Sequence, residues 1–435
     1  MKNLFAALIL SSFWAGCAAP QKPVIEMTEQ QAARQLSDYQ QKAAQRPEDV
    51  NALFHLAQAH EAMGADEQAV RELEKIIALD RNFAKAYLLK AKIHQKQNDS
   101  AVVLATYLKV LALPHGHNYV EQVATEVGMP YAIRPLTVGP GNNVMARFSP
   151  DSQQIAWQSD RNGDWDIYLA KADGSAVQAI VFDKGNDEGP AFSPDGQFLA
   201  FVSNRQELEP RSLGYEKREI FLYDLTFHKQ RRLTKNDIDD WAPVFYPDSS
   251  QLIYVSEQDA RDDDSFVVRK SRLLTTKVAT IEPHYFRKTK AEQTSPAALH
   301  DGRLAWIEID DGIYRILTGT ADVQPDTLMS DAHPKGGLSS SQRGESLTFF
   351  MKKDDNVDIY LLNLYNKELL RLTASQSKDI YPSLSPDGKQ IVFSSDRFGK
   401  LGLYTIDLST PTSLEELRSR IVEILTNAES SQKTE

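Results

Sequence analysis

The sequence predicts an α + β multidomain chain: a short helical-repeat module followed by an all-β propeller of six blades. Three observations carry that prediction. Between Asn51 and Leu113 apolar residues recur at helical spacing, and the pattern returns with a period of about 34 residues. From Phe148 to Asp387 a Pro-containing turn followed by a β-branched or aromatic strand recurs at the spacing of one four-stranded blade. The 435 residues are 41% hydrophobic and 25% charged, which allows two or three domains and excludes collagen-like, mucin-like or wholly disordered chains.

The first residues read as an export signal, residues 1–16. Lys2 precedes an apolar stretch, Leu4 to Trp14, too short for a membrane span of roughly 20 residues. Ala15 and Gly16 lead into Cys17, the only cysteine, so an internal disulfide or a cysteine-built zinc site is excluded. The Ala-Gly-Cys ending resembles the bacterial lipobox, with Trp14 where that motif usually has Leu. The resemblance implies that the Cys17 sulfur takes a diacylglycerol and becomes the mature N-terminus. It also implies an outer-membrane lipoprotein facing the periplasm, since Ala18 is not the Asp of inner-membrane retention. The alternative is ordinary cleavage near Ala19 with Cys17 discarded. Residues 17–27, with two prolines and no periodicity, read as a tether reaching at most roughly 35 Å.

Residues 28–128 read as the helical module. Leu53, Leu56, Ala57, His60, Gly64, Ala69, Leu73 and Ile76 return one period later as Tyr87, Lys90, Ala91, His94, Asn98, Val103, Tyr107 and Val110. Gly64 and Asn98 fall where a left-handed turn is needed. The pattern resembles the tetratricopeptide repeat, from which Lys90 and Val103 depart. An earlier helix, roughly Thr28 to Gln45, is expected beside the first repeat. Such repeats hold a peptide or helix in a groove, or act as a spacer.

Residues 132–409 read as the propeller. Phe148-Ser-Pro-Asp151 recurs as Phe192-Ser-Pro-Asp195, Phe245-Tyr-Pro-Asp248 and Leu384-Ser-Pro-Asp387, with worn copies at Leu299 and Ser341. The sixth copy ends at Leu408 without an outer strand, while an orphan Arg134-Pro-Leu-Thr137 precedes the first. The N-terminal strand is therefore expected to complete the last blade and remove a free edge. These turns, with Ser-Asp-Arg-x-Gly and Asp-Ile-Tyr strands, resemble the TolB-like (PD40) propeller repeat. That resemblance implies a periplasmic, protein-binding propeller. After it, residues 410–426 read as an amphipathic helix opened by a Ser413/Glu416 capping box, and 427–435 as a disordered tail.

Three places invite a ligand. Asn143, Asp187, Asp240 and Asp379 share one repeat position, three residues before the inner-strand proline in three of the copies. With Trp241 and Tyr381 they read as a ring at the channel mouth suited to a cationic peptide, or as acceptors locking their turns. Asp160, Asn162, Asp164 and Asp166 alternate as in a calcium loop, although Asn-Gly is also a common hairpin turn. Loop insertions lie at Asn204–Arg218, at the acidic Asp259–Asp264 and at the basic His284–Lys290.

Enzyme motifs such as Gly-x-Ser-x-Gly, His-Glu-x-x-His and a Walker loop do not occur in the sequence. The net charge of −11 argues against nucleic acid as a partner and favours basic ones. The expected function is a non-enzymatic envelope lipoprotein, a scaffold docking protein or peptide through its channel face and repeat groove. No cofactor beyond the lipid anchor is expected. The alternatives are a receptor for glycan or peptidoglycan fragments and a metal-dependent propeller lyase or hydrolase.

Overall fold

The structure, a computed structural model, describes residues 27–432 except 98, 137–138, 206–216, 237, 262–266, 342–343 and 354. The signal segment, Cys17, Asn98, Thr137 and parts of two inserted loops, residues 206–216 and 262–264, thus lie outside the described residues, whereas His284–Lys290 is described and His284–Tyr285 forms the outer strand of the third blade. Two compact units result, one reaching Val120 and taking in the chain from Leu425, the other spanning Glu121–Ile424.

In the first unit, helices α1 (Glu29–Gln45), α2 (Val50–Ala62), α3 (Asp66–Leu79), α4 (Ala84–Lys96) and α5 (Ser100–Ala112) follow one another, each packed on the next. Thr28 and Gln31 form a capping box on α1, and Asp49 and Asp99 accept the first free N–H groups of α2 and α5. The pair α4–α5 repeats α2–α3 at a constant offset: Val50 and Ala84 open the first helix of each pair, Asp66 and Ser100 the second. Leu53, Ala57, Ala69, Leu73, Ile76, Ala91 and Val110 are buried, as the repeat pattern requires. Gly64 turns the chain with φ of 72°. His60 and His94 pack half-buried in equivalent places, and burial holds His60 below the usual imidazole range. The short helix α6 (Val120–Glu126), placed by the sequence in the helical module, belongs almost entirely to the second unit. There Val123, Ala124 and Met129 are buried, and the Thr412 hydroxyl donates to the Met129 carbonyl at 2.7 Å.

In the second unit the described residues form six antiparallel sheets of four strands. Their innermost strands start at Asn143, Asp187, Asp240, Glu292, Lys335 and Asp379, and each packs beside the next around a closed ring. The ring closes as expected: Tyr131–Leu136 pairs with Gly402–Pro411, setting Arg134 opposite Thr405 and Leu136 opposite Leu403. Second strands are buried on both faces, so Trp157, Phe201, Tyr254, Trp306, Phe349 and Phe393 are sealed from solvent. Six apolar cores sit between neighbouring blades, one of them joining Trp157 and Tyr168 to Val392 and Leu403 across the closure. Each blade thus shares its stability with both neighbours.

Hydrogen bonding explains the repeated turn. In Ser149-Pro-Asp151, Ser193-Pro-Asp195 and Ser385-Pro-Asp387 the hydroxyl donates to the carboxylate and accepts the N–H of the residue opening the next strand. The fourth turn position is left-handed, whether Gly (196, 302, 388) or Ser (152, 249). Every innermost strand also carries a bulge close to its start: Met145, Gly189, Ala242, Ser295, Gly337 and Tyr381 all have φ between 51° and 64°. The bulge aims a backbone N–H at the preceding blade, as in Met145 N–H to Ser394 Oγ and Gly189 N–H to Gln158 Oε1.

The last helix, α7 (Leu414–Gln432), is capped by Ser413 and buries Leu417 and Ile421 in the second unit. It runs beyond residue 426: residues 427–432, expected as a disordered tail, continue its backbone hydrogen bonding.

Candidate functional site

The shared repeat position is occupied by Asn143, Asp187, Asp240 and Asp379, and all four side chains are buried. They do not form an open acidic rim. In three blades the side chain is held by an arginine 18 residues later, from the Ser-Asp/Asn-Arg turn after the second strand. Arg161, Arg205 and Arg397 donate through Nη2 to Asn143 at 2.9 Å, Asp187 at 2.7 Å and Asp379 at 2.9 Å. Each Nε donates to the serine two residues earlier, Ser159, Ser203 or Ser395. Each guanidinium lies over a third-strand ring, with centroid distances of 4.2 Å to Tyr168, 4.7 Å to Phe221 and 4.7 Å to Tyr404. The middle residue of the turn, Asp160, Asn204 or Asp396, accepts the N–H just before the innermost strand. In these three blades the motif is thus a clasp fastening the innermost strand to the turn after the second strand. The recurring arginine was visible in the sequence, but only the sheet brings it back to the strand start.

The third blade departs from this pattern. Gln258 stands in the arginine's place, and Asp240 is held by Ser256 and by Asn236 at 2.8 Å, with no cation on it among the described residues. Burial pushes its carboxyl up to about 6. In the fourth and fifth blades the position is Gln293 and Lys335, the latter paired with Asp331.

Three of the four calcium candidates, Asp160, Asn162 and Asp166, are hydrogen-bonded within the first blade. Asp160 binds the Asn142 backbone and side chain, and Asn162 donates to Asp166 and to the Tyr168 hydroxyl. Among the described residues no group of three or more His, Cys, Asp or Glu is placed to hold a metal.

A different cluster is built from the residues after the repeat position. Trp241 and Tyr381 are joined by Arg147, Glu188, Arg218 and Asp239, which no sequence motif singled out. Arg218 lies 5.4 Å from the Trp241 ring centroid, pairs with Asp239 at 2.7 Å and approaches Glu188 at 3.5 Å. The Tyr381 hydroxyl stands among Glu188, Arg218 and Arg147, and its titration is raised, first by burial and then by Glu188. Phe350 meets the Tyr381 ring edge-on at 5.8 Å. It can do so because Gly336 and Gly337 leave its ring room: a Cβ on Gly336 would overlap the Phe350 ring. Side chains from five of the six blades therefore converge: two cations, two acids and three aromatic rings. Such a surface can bind an extended peptide or a sugar ring by stacking and charged hydrogen bonds.

A closed six-bladed propeller with these turns and clasps defines the class of protein, and the family follows from comparison. The model of the TolB beta propeller domain (PD40) matches residues 118–211 and 273–417, and the chain belongs to that family. Among solved structures it is similar to TolB from Acinetobacter baumannii, at 14% identity and a TM-score of 0.44 over 71% of this chain and 70% of that one. It is also similar to oligogalacturonate lyase from Vibrio parahaemolyticus, at 15% identity and a TM-score of 0.43 over 64% and 93%. A curated relative, U-box domain-containing protein 70 of Oryza sativa subsp. japonica, is 34% identical over 73 residues, 17% of this chain and 9% of its own length. The chain thus spans under a tenth of that relative.

Proposed function

We propose that the protein is a non-enzymatic scaffold of the cell envelope that docks a protein or peptide in its propeller channel. In this reading Cys17 is lipidated and holds the chain to the outer membrane on the periplasmic side. The helical module is tetratricopeptide-like and offers a second groove; the constant offset between its helix pairs supports that. The observation that carries the docking reading is the convergence of Trp241, Tyr381, Phe350, Arg147, Glu188 and Arg218 from five of the six blades. Aromatic and arginine side chains together are the composition of peptide-binding hot spots. Membership of the TolB propeller family fits an interaction role. A basic partner no longer follows from the repeat position, because Asp187, Asp240 and Asp379 are buried.

Photo-crosslinking tests the reading. With a benzophenone amino acid at Tyr381, intact cells are expected to give a discrete protein adduct, and a probe at exposed Phe398 is not. Saturable binding of peptidoglycan fragments with no protein adduct would overturn docking in favour of the glycan receptor. Metabolic labelling with palmitate tests the anchor, which is lost in Cys17→Ala if the lipobox reading holds.

A further inference from the structure

We propose that Arg147 anchors a carboxylate of the docked peptide, with the Tyr381 hydroxyl as its second contact; this rests on the docking reading above. Arg147 lies on the innermost strand of the first blade and reaches across the seam to the sixth. There Nη1 donates to the Pro382 carbonyl at 3.1 Å. That bond fixes the guanidinium plane and uses one of five N–H donors. Among the described residues Arg147 pairs with no carboxylate, whereas Arg205 and Arg218 each hold two and Arg397 holds one. The side chain is only half-buried, and none of its nitrogens is among the sealed, unpartnered polar atoms. Burial lowers its titration only to about 10, which leaves it cationic at neutral pH. A half-buried cation without a counter-ion is costly to keep, and an anionic ligand removes that cost.

The surroundings select the anion. Tyr381 directly precedes Pro382, whose carbonyl holds the Arg147 guanidinium, and Arg147 and Glu188 both act on its hydroxyl, which can therefore donate to a group bound on the guanidinium. Arg218 is occupied by Asp239 and Glu188. The Arg147 guanidinium matches a planar monoanion bidentately, while the Glu188 charge opposes a dianionic phosphate. Phe350 and Trp241 wall the site with apolar surface suited to the adjoining peptide.

Fluorescence anisotropy on the full chain tests this with four labelled hexapeptides of one Gly-Ser sequence. One ends in Glu with an amidated terminus, one in Gln with a free carboxylate, one in amidated Gln, and one in amidated phosphoserine. One or both carboxylate peptides are expected to bind at least tenfold more tightly than amidated Gln, and the pair distinguishes a side-chain from a terminal carboxylate. Arg147→Met is expected to abolish that preference. If that variant does not fold, Arg147→Lys and Tyr381→Phe decide, each reducing the preference several-fold. Equal binding of all peptides, no carboxylate binding at millimolar concentration, tighter phosphoserine binding, or an unchanged preference in the variants overturns the proposal. Retention of the Tyr381 crosslink in any of those cases leaves docking standing and removes only the carboxylate site.

Discussion

Replacing Arg397 by Met tests whether the clasp between turn and innermost strand holds the propeller together. Asp379 is fully buried, and the Arg397 guanidinium supplies both of its charged hydrogen bonds, at 2.9 and 3.1 Å. Removing the cation strands a buried carboxylate, which costs about 3–5 kcal/mol. Loss of the guanidinium from the Tyr404 and Phe393 rings, at 4.7 and 5.5 Å, adds about 0.5–1 kcal/mol. For a unit of this size the midpoint of thermal unfolding should fall by roughly 5–10 °C. Asp379→Asn should cost far less, about 1 kcal/mol, because the first blade already runs the same clasp with Asn143 on Arg161. The double variant should recover much of the single Arg397→Met loss, since it leaves no buried charge. Differential scanning fluorimetry of the three variants reads this directly. A midpoint for Arg397→Met indistinguishable from that of the parent would refute the clasp as a stabilising device.

Further expectations follow from single residues. Asp240, with no cation on it among the described residues and its carboxyl raised to about 6, binds its proton more tightly folded than unfolded. Its contribution is therefore greatest below the unfolded value near 4, falls as pH rises to about 6, and is a fixed penalty above that. Asp240→Asn should lessen the fall of the urea midpoint across that window, where Asp187 and Asp358 are also raised to about 6, and gain stability at pH 7.5 relative to pH 4.5; an unchanged pH profile counts against it. Gly336→Ala should cost about 1–3 kcal/mol through the Phe350 ring, and Phe350→Ala in the same chain should cost less than the sum of the two. Additive losses in chemical denaturation would argue that the ring does not fill that gap. Thr412→Val removes the buried bond to the Met129 carbonyl and should cost about 1 kcal/mol without changing the slope of unfolding with denaturant.

The blade count, the turn signature and the closing strand were all legible in the sequence, because each depends on local spacing. A proline and a left-handed residue set the Ser-Pro-Asp turn wherever they occur, so Phe148, Phe192 and Leu384 mark blades by themselves. The missing outer strand after Leu408 and the spare one at Arg134 match by pattern alone. The helix pairs behaved likewise, except that α6 went to the propeller unit and α7 continued past residue 426. Trp241 and Tyr381 stood out because they follow a repeated position.

The roles of the charged residues were not legible. Asp187 and Asp379 looked like a ligand-binding rim, yet each meets an arginine 18 residues away and is sealed by it. Arg147, Glu188 and Arg218 carry no motif, and with Trp241 and Tyr381 they become one site only when blades one, two, three and six are set around an axis. Composition and spacing govern what a segment does with its own neighbours. Whether a carboxylate is a buried clasp or an open ligand, and whether an arginine is paired or available, depends on distances between strands far apart in the chain, which exist only once the ring has closed.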